Sequence, residues 1–276
     1  MSSPMLSAPI SQALRGRTES TARRLLAGAG RASFTAYRHD AQRAVDVPAH
    51  GLTSTGELVV AHRGAALPCE PTAPTQVRLD IRREATEARV RIVAATAHAL
   101  GSIEWLSAQA LDRAVAEGRL PPTVALVAQA PDALVGVVTC DRVLVHDAAG
   151  VTPLAFADLA RVRRGRPALA PFPSADQEFE VAELAAALPE SDVYELYAGV
   201  SSGRLAGSVL SQTPIAPSCR ATLGRIYWVD IDGVGVTLMH VGAGATTVVF
   251  APFAQPARDL AQLSARLTGL LHRARS

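Results

Sequence analysis

Apolar positions in the first half of the chain recur mainly with a period of two, the pattern of strands buried on one face. Residues 75–83 show it most cleanly: Val77, Leu79 and Ile81 alternate with Gln76, Arg78, Asp80 and Arg82. Residues 31–39 and 44–51 alternate as well, and 57–62 (ELVVAH) is an apolar run of strand length. Residues 88–106 open with Val90, Ile92 and Ala94 in alternation, and Gly101 marks a place for a bend or bulge. Segments 124–129, 133–139 and 142–147 read as further strands, with a turn over 147–150 and a return over 151–154. Roughly seven short strands in succession predict a barrel and not a parallel sheet.

Helical spacing interrupts this pattern and then dominates the second half. Residues 18–29 carry Ala22, Leu25, Leu26 and Ala29 on one stripe, with Thr18 as a cap and Gly28 and Gly30 at the end. Residues 1–15, rich in Ser, Pro and Ala, read as a mobile leader, and 107–117 as a short helix stopped by Gly118. Residues 177–188 place Phe179, Val181, Leu184 and Leu188 on an inner side, and 191–210 follow as a helix or helix pair capped by Ser191. Three strands at 225–231, 235–241 and 246–252 form a meander. An amphipathic helix over 259–272 carries Leu260, Leu263, Leu267, Leu270 and Leu271. The expected fold class is α+β: a barrel over 18–158, a linker over 159–176, and a small α–α–β–β–β–α unit over 177–274. The linker expectation rests on Arg161, Arg163, Arg164 and Arg166 followed by prolines.

Composition narrows the chemistry. Among 276 residues, 49% are hydrophobic and 19% charged, enough apolar content for a sizeable core. A formal net charge of +2 supplies no field for nucleic acid. All 27 basic residues are arginine, which excludes Walker-A, Schiff-base and general-base lysines. An anion site must therefore use guanidinium or backbone N–H groups. Cys69, Cys140 and Cys219 are too scattered for a zinc site or a disulfide framework. No apolar run approaches the roughly 18 residues of a membrane span, and the N-terminus has no secretory h-region. The expectation is a cytoplasmic chain with no membrane partner.

Candidate ligand groups remain. Arg78 and Arg82 share a strand face, and Arg89 and Arg91 follow on the next strand, so each pair can meet a phosphate or stand as a solvated face paired with Asp80, Glu84 and Glu87. His62, His98 and His240 lie on apolar strands, whereas His39, His50, His146 and His272 sit at element ends. The glycines at 233, 235, 242 and 244 flank strands and read as turns, and Asp230 with Asp232 brackets a turn.

Segments 29–37, 44–50, 57–62 and 142–150, in that order, resemble the split-barrel half of the HugZ-like haem-utilisation proteins. Those belong to the pyridoxamine-phosphate-oxidase-like, FMN-binding split-barrel family. Residues 246–271 (TTVVFAPFAQPARDLAQLSARLTGLL) resemble the end of the C-terminal α+β domain common in its actinobacterial members. The resemblance implies a split-barrel homodimer with a small-molecule cofactor, haem or FMN, and a role in iron utilisation or redox chemistry. Arg63, Arg78 and Arg82 would then hold phosphate or propionates, with His62 or His240 as the axial ligand. An alternative is a degenerate member that has no cofactor and serves as a binding or structural homodimer. Residues 196–207 favour it, having neither His nor Asp where the family's helix carries both.

Overall fold

The computed structural model describes residues 8–64, 73–87, 89–161, 171–215 and 221–276. A long helix, α1 (Ala8–Leu26), leads into β1 (Arg31–Thr35), β2 (Ala44–Val47), β3 (Ala49–Leu52), β4 (Leu58–Arg63), β5 (Thr75–Glu84) and β6 (Val93–Trp105). Two short helices, α2 (Ala108–Ala116) and α3 (Pro122–Ala128), precede β7 (Ala133–Asp147) and β8 (Gly150–Ala155). After α4 (Phe156–Leu159) come α5 (Glu178–Ala186), α6 (Glu190–Ser201) and β9 (Ser208–Pro214). The chain ends with β10 (Ile226–Ile231), β11 (Gly235–Val241), β12 (Ala245–Pro252) and α7 (Leu260–Arg275).

The first sheet is antiparallel, in the order β2-β1-β5-β6-β7-β4-β3, with β8 on the far half of β7. It curls into a half-barrel. One cause is the bulge where β6 and β7 shift register between Ala99 and Gly101. A Cβ at Gly101 would lie 2.0 Å from the Thr139 carbonyl oxygen, so a side chain cannot fit there. The curl brings β4 against β2, which are not ladder neighbours, and His62 Nδ1 joins them through the Asp46 carbonyl oxygen at 3.2 Å.

Inside the curl, Phe34, Leu58, Val60, Val77, Leu79, Ile81, Ile103, Val143 and Val145 pack with Ala22, Leu25 and Leu26 of α1. The run in β4 is apolar on both faces for a simple reason. Val59 and Ala61 point the other way, into a smaller core with Ala114, Leu120 and Val124 from around α2 and α3. The second sheet, β10-β11-β12-β9, lays one face against α5, α6 and α7 through Trp228, Val236, Leu238, Val249 and Ala251. Among the described residues no helix is long and apolar enough to cross a membrane.

Several expectations change. The helix expected at 18–29 extends back to Ala8, so described residues 8–15 are helical and not a leader; Thr18 is interior and donates to the Leu14 carbonyl oxygen at 3.3 Å. Residues 122–128 form a helix where a strand was expected at 124–129. Pro122 at the first helical position starts it, and Val124 is buried against the sheet. The strands expected at 133–139 and 142–147 are one continuous β7 of 15 residues. The helical expectation over 191–210 stops at Ser201, with Gly203 at φ 78°, and β9 makes the meander four-stranded. Cys69, Cys219, Arg163, Arg164 and Arg166 lie outside the described residues.

The two sheets are fastened by buried charge. Arg17 and Arg24, seven residues apart, share a face of α1 directed at the second sheet. Arg24 Nη1 donates to both oxygens of Asp230 at 3.0 and 3.1 Å, and Nη2 to Glu178 at 2.6 Å. Arg83, at the inner end of β5, donates to Glu178 at 2.7 Å. Its Nη1 lies 2.9 Å from Asp230 without hydrogen-bond alignment, a purely ionic contact. Arg17 reaches Asp147 at 3.0 Å and lies over the Phe250 ring. Burial alone would raise the Asp230 carboxyl, but the charges of Arg24 and Arg83 pull it down to about 2. Burial and the Asp230 charge push neighbouring Asp232 up instead.

Candidate functional site

Beside this fastening, the two units leave a cleft of about 910 Å³, within the range of roughly 300–1,000 Å³ common for small-molecule sites. The connection between β5 and β6 supplies Thr86, Glu87 and Arg89. Helices α5 and α6 supply Phe179, Ala182 and Tyr194, and the approach to β10 supplies Leu223, Arg225, Ile226 and Trp228. The walls are largely apolar. Phe179 is 71% exposed although it is a large aromatic residue, and Tyr194 and Leu223 are exposed as well. Phe179 therefore does not join Val181 in the core, as its helical stripe suggested; it faces the open cleft. Large apolar groups kept in water beside a concavity mark a binding surface.

Two guanidinium groups stand at the rim. Arg89 Nη1 donates to Glu190 Oε1 at 3.2 Å, and Arg225 Nη1 lies 3.9 Å from the same oxygen. Arg89 is also held by Glu87 at 2.9 Å and lies over the Tyr227 ring at 5.6 Å. Burial would raise Glu87, but hydrogen bonds and charge from Arg89, with the Trp228 backbone, hold it below its ordinary value. Glu87 is thus a fixed partner of Arg89. Glu190 is different: its side chain is 83% exposed and rests on the two arginines from outside. A carboxylate already sits where the two cations meet.

The residues singled out from sequence do not gather at one place. Arg63 pairs with Asp132 at 3.2 Å at the end of β4, and Arg78 pairs with Asp80 at 2.9 Å on the outer face of β5. Arg82 is exposed and lines a smaller hollow with Arg31 and Gly30. No phosphate cradle is formed by the three, so the described residues do not fit an FMN phosphate in that form. His62 follows Leu58 and Val60 onto the inner face of β4; its Nδ1 donates to Asp46, and its buried Nε2 has no partner. His240 lies opposite Ile226, a cleft residue, in the β10–β11 ladder. Its ring packs on Tyr197 at 4.8 Å, and burial lowers its pKa, favouring the neutral imidazole. Cys140 is buried, and its thiol is pushed up to about 11 by burial and Asp141, which makes it a poor nucleophile.

Arg225, Glu190, Tyr194 and Leu223 were not identified from sequence as site residues. The misplaced Phe179 was the available signal, since it sits on the first turn of α5 among glutamates.

The chain matches no family model and no curated protein sequence. A haem-binding protein from Mycobacterium smegmatis superposes with a TM-score of 0.48 at 18% identity, over 94% of this chain and 97% of that one. A protein of unknown function from Agrobacterium tumefaciens gives 0.39 at 15% identity, over 97% and 100%. Likeness at that level carries no argument about ligand or activity.

Proposed function

We propose that this is a split-barrel-type protein that binds haem in the cleft between the two sheets. One observation carries the reading: Arg89 and Arg225 converge on a single exposed carboxylate at the mouth of a large apolar cleft. Haem presents the complementary chemistry, a flat apolar ring with carboxylates at one edge. Phe179, Tyr194, Leu223 and Ile226 would cover the ring, and Arg89 and Arg225 would take a propionate in place of Glu190. His240, neutral and one strand in from Ile226, is the candidate for the iron. Bound haem would supply redox or oxygen chemistry, and the chain's own part is to cover the ring and fix its edge.

Haem titration followed by Soret absorbance tests this. The expected result is saturation at one haem per chain, weakened about tenfold or more by Arg89→Ala with Arg225→Ala. Glu190→Gln should tighten binding, because it removes the competing carboxylate. His240→Ala should move the Soret maximum. Haem binding that ignores the arginine and Glu190 substitutions, or no saturable binding at all, would overturn the assignment.

A further inference from the structure

On the outer face of the first sheet, away from the cleft, three side chains form an ordered chain of contacts. Asp80 of β5 and His98 of β6 are direct cross-strand partners, and Asp80 Oδ1 lies 2.5 Å from His98 Nδ1. The other oxygen, Oδ2, accepts from Arg78 Nε at 2.9 Å. Asp80 is therefore fixed from both sides. A carboxylate only accepts, so His98 Nδ1 must donate, and in the neutral ring Nε2 is then the nitrogen with the lone pair. On β7, His146 lies opposite Thr96, two residues from the partner of His98, and so occupies the diagonal position on the same face. The two imidazoles meet at 4.8 Å between centroids with planes 84° apart.

We propose that His98 and His146 form a site for one divalent first-row transition-metal ion, with Asp80 as the positioning residue and water completing the coordination. The arrangement Arg78–Asp80–His98 is the carboxylate–imidazole pairing that sets the tautomer and orientation of metal-binding histidines. The ring separation also fits. With metal–nitrogen bonds of about 2.0–2.1 Å, each ring centroid lies about 3.2 Å from the ion; two such rings at angles between square and tetrahedral stand roughly 4.5–5.2 Å apart. Imidazole suits zinc, copper and nickel, and copper binds most tightly in that series. Among the described residues no three ligating side chains are grouped to hold a metal ion, so the proposed ion would take its remaining ligands from water. The face is accessible: His98 is one-third exposed, and His146 is exposed.

The proposal is independent of haem and is tested on the haem-free full chain. Cu²⁺ titration with electron paramagnetic resonance should find one saturable ion per chain, with hyperfine structure from two nitrogens. His98→Ala and His146→Ala should each abolish the two-nitrogen signature and weaken binding at least tenfold. Asp80→Asn should keep both nitrogens and weaken binding about 10–100-fold. His39→Ala and His272→Ala should change nothing. Thermal denaturation of each variant checks that it folds, and His146→Gln gives a second variant of similar bulk. A two-nitrogen site that survives His98→Ala or His146→Ala, or binding unaffected by Asp80→Asn, would overturn the assignment, as would the absence of a saturable site.

Discussion

The protein builds two arginine–carboxylate clusters from the same residue types, and their difference lies in burial. In the seam between α1 and the second sheet, Arg24 and Arg83 share Asp230 and Glu178, and both arginine side chains are almost wholly inaccessible. At the cleft rim, Arg89 and Arg225 share Glu190, which is largely in water, and the two arginine side chains are about half exposed. Removing charges from water costs several kcal/mol per ion, so a buried cluster holds only if each partner stays in place. Exposed pairs contribute about 0–1 kcal/mol and exchange readily with solutes. The seam is suited to locking the two units together, and the rim to releasing one carboxylate for another.

The largest test of this contrast is Arg24→Met. It leaves Asp230 and Asp232 buried without their main cation, and the expected loss of stability in urea denaturation is about 3–5 kcal/mol. A loss below about 1 kcal/mol would mean that water reaches the seam. Acid titration separates the contributions next. His50 Nε2 donates to the Leu25 carbonyl oxygen at 2.8 Å, and burial holds the imidazole below its ordinary 6.5. The unfolded chain takes up that proton more readily, so stability is full above about pH 6.5 and falls as pH drops below it. His50→Gln should flatten that limb of the stability–pH curve.

Asp230 acts in a lower window. Its carboxyl is held at about 2 against an ordinary 3.8, so its contribution is intact above 3.8 and disappears as pH falls from there towards 2. Asp232, pushed upwards, runs in the opposite sense and offsets part of that loss. Asp230→Asn should shrink the acid limb below about pH 4, leaving the part due to Glu87, while the His50 limb stays unchanged. The smallest effect is expected at the rim. Arg225→Ala should shift stability by less than about 1 kcal/mol while weakening haem binding, a division no seam substitution should show.

Much of the fold was legible because local pattern and tertiary burial agree. The alternation over 75–83 became β5, with Val77, Leu79 and Ile81 buried, and the Gly101 irregularity became a bulge. The disagreements have physical causes. The segment at 124–129 is a short apolar run, and periodicity cannot separate a buried strand from a buried helix at that length. Nothing local to Arg17 and Arg24 marks them as buried, and only the second sheet turns their side of α1 into an interior. The candidate site was less legible than the fold. Arg63 and Arg78 were plausible anion ligands by residue type, but each finds a carboxylate of its own.

By itself, the sequence determined which segments alternate and that any cation for an anionic ligand must be arginine. These follow from chemistry within a few residues of each position. Only the tertiary structure decided which arginines are buried and which face a cleft, and that Asp80, His98 and His146 share one patch. Those facts depend on strand register and on the docking of two sheets, which bring together residues as far apart as Arg24 and Asp230. A guanidinium is a lock or a ligand according to how much water it keeps, and water access is a property of the assembled fold.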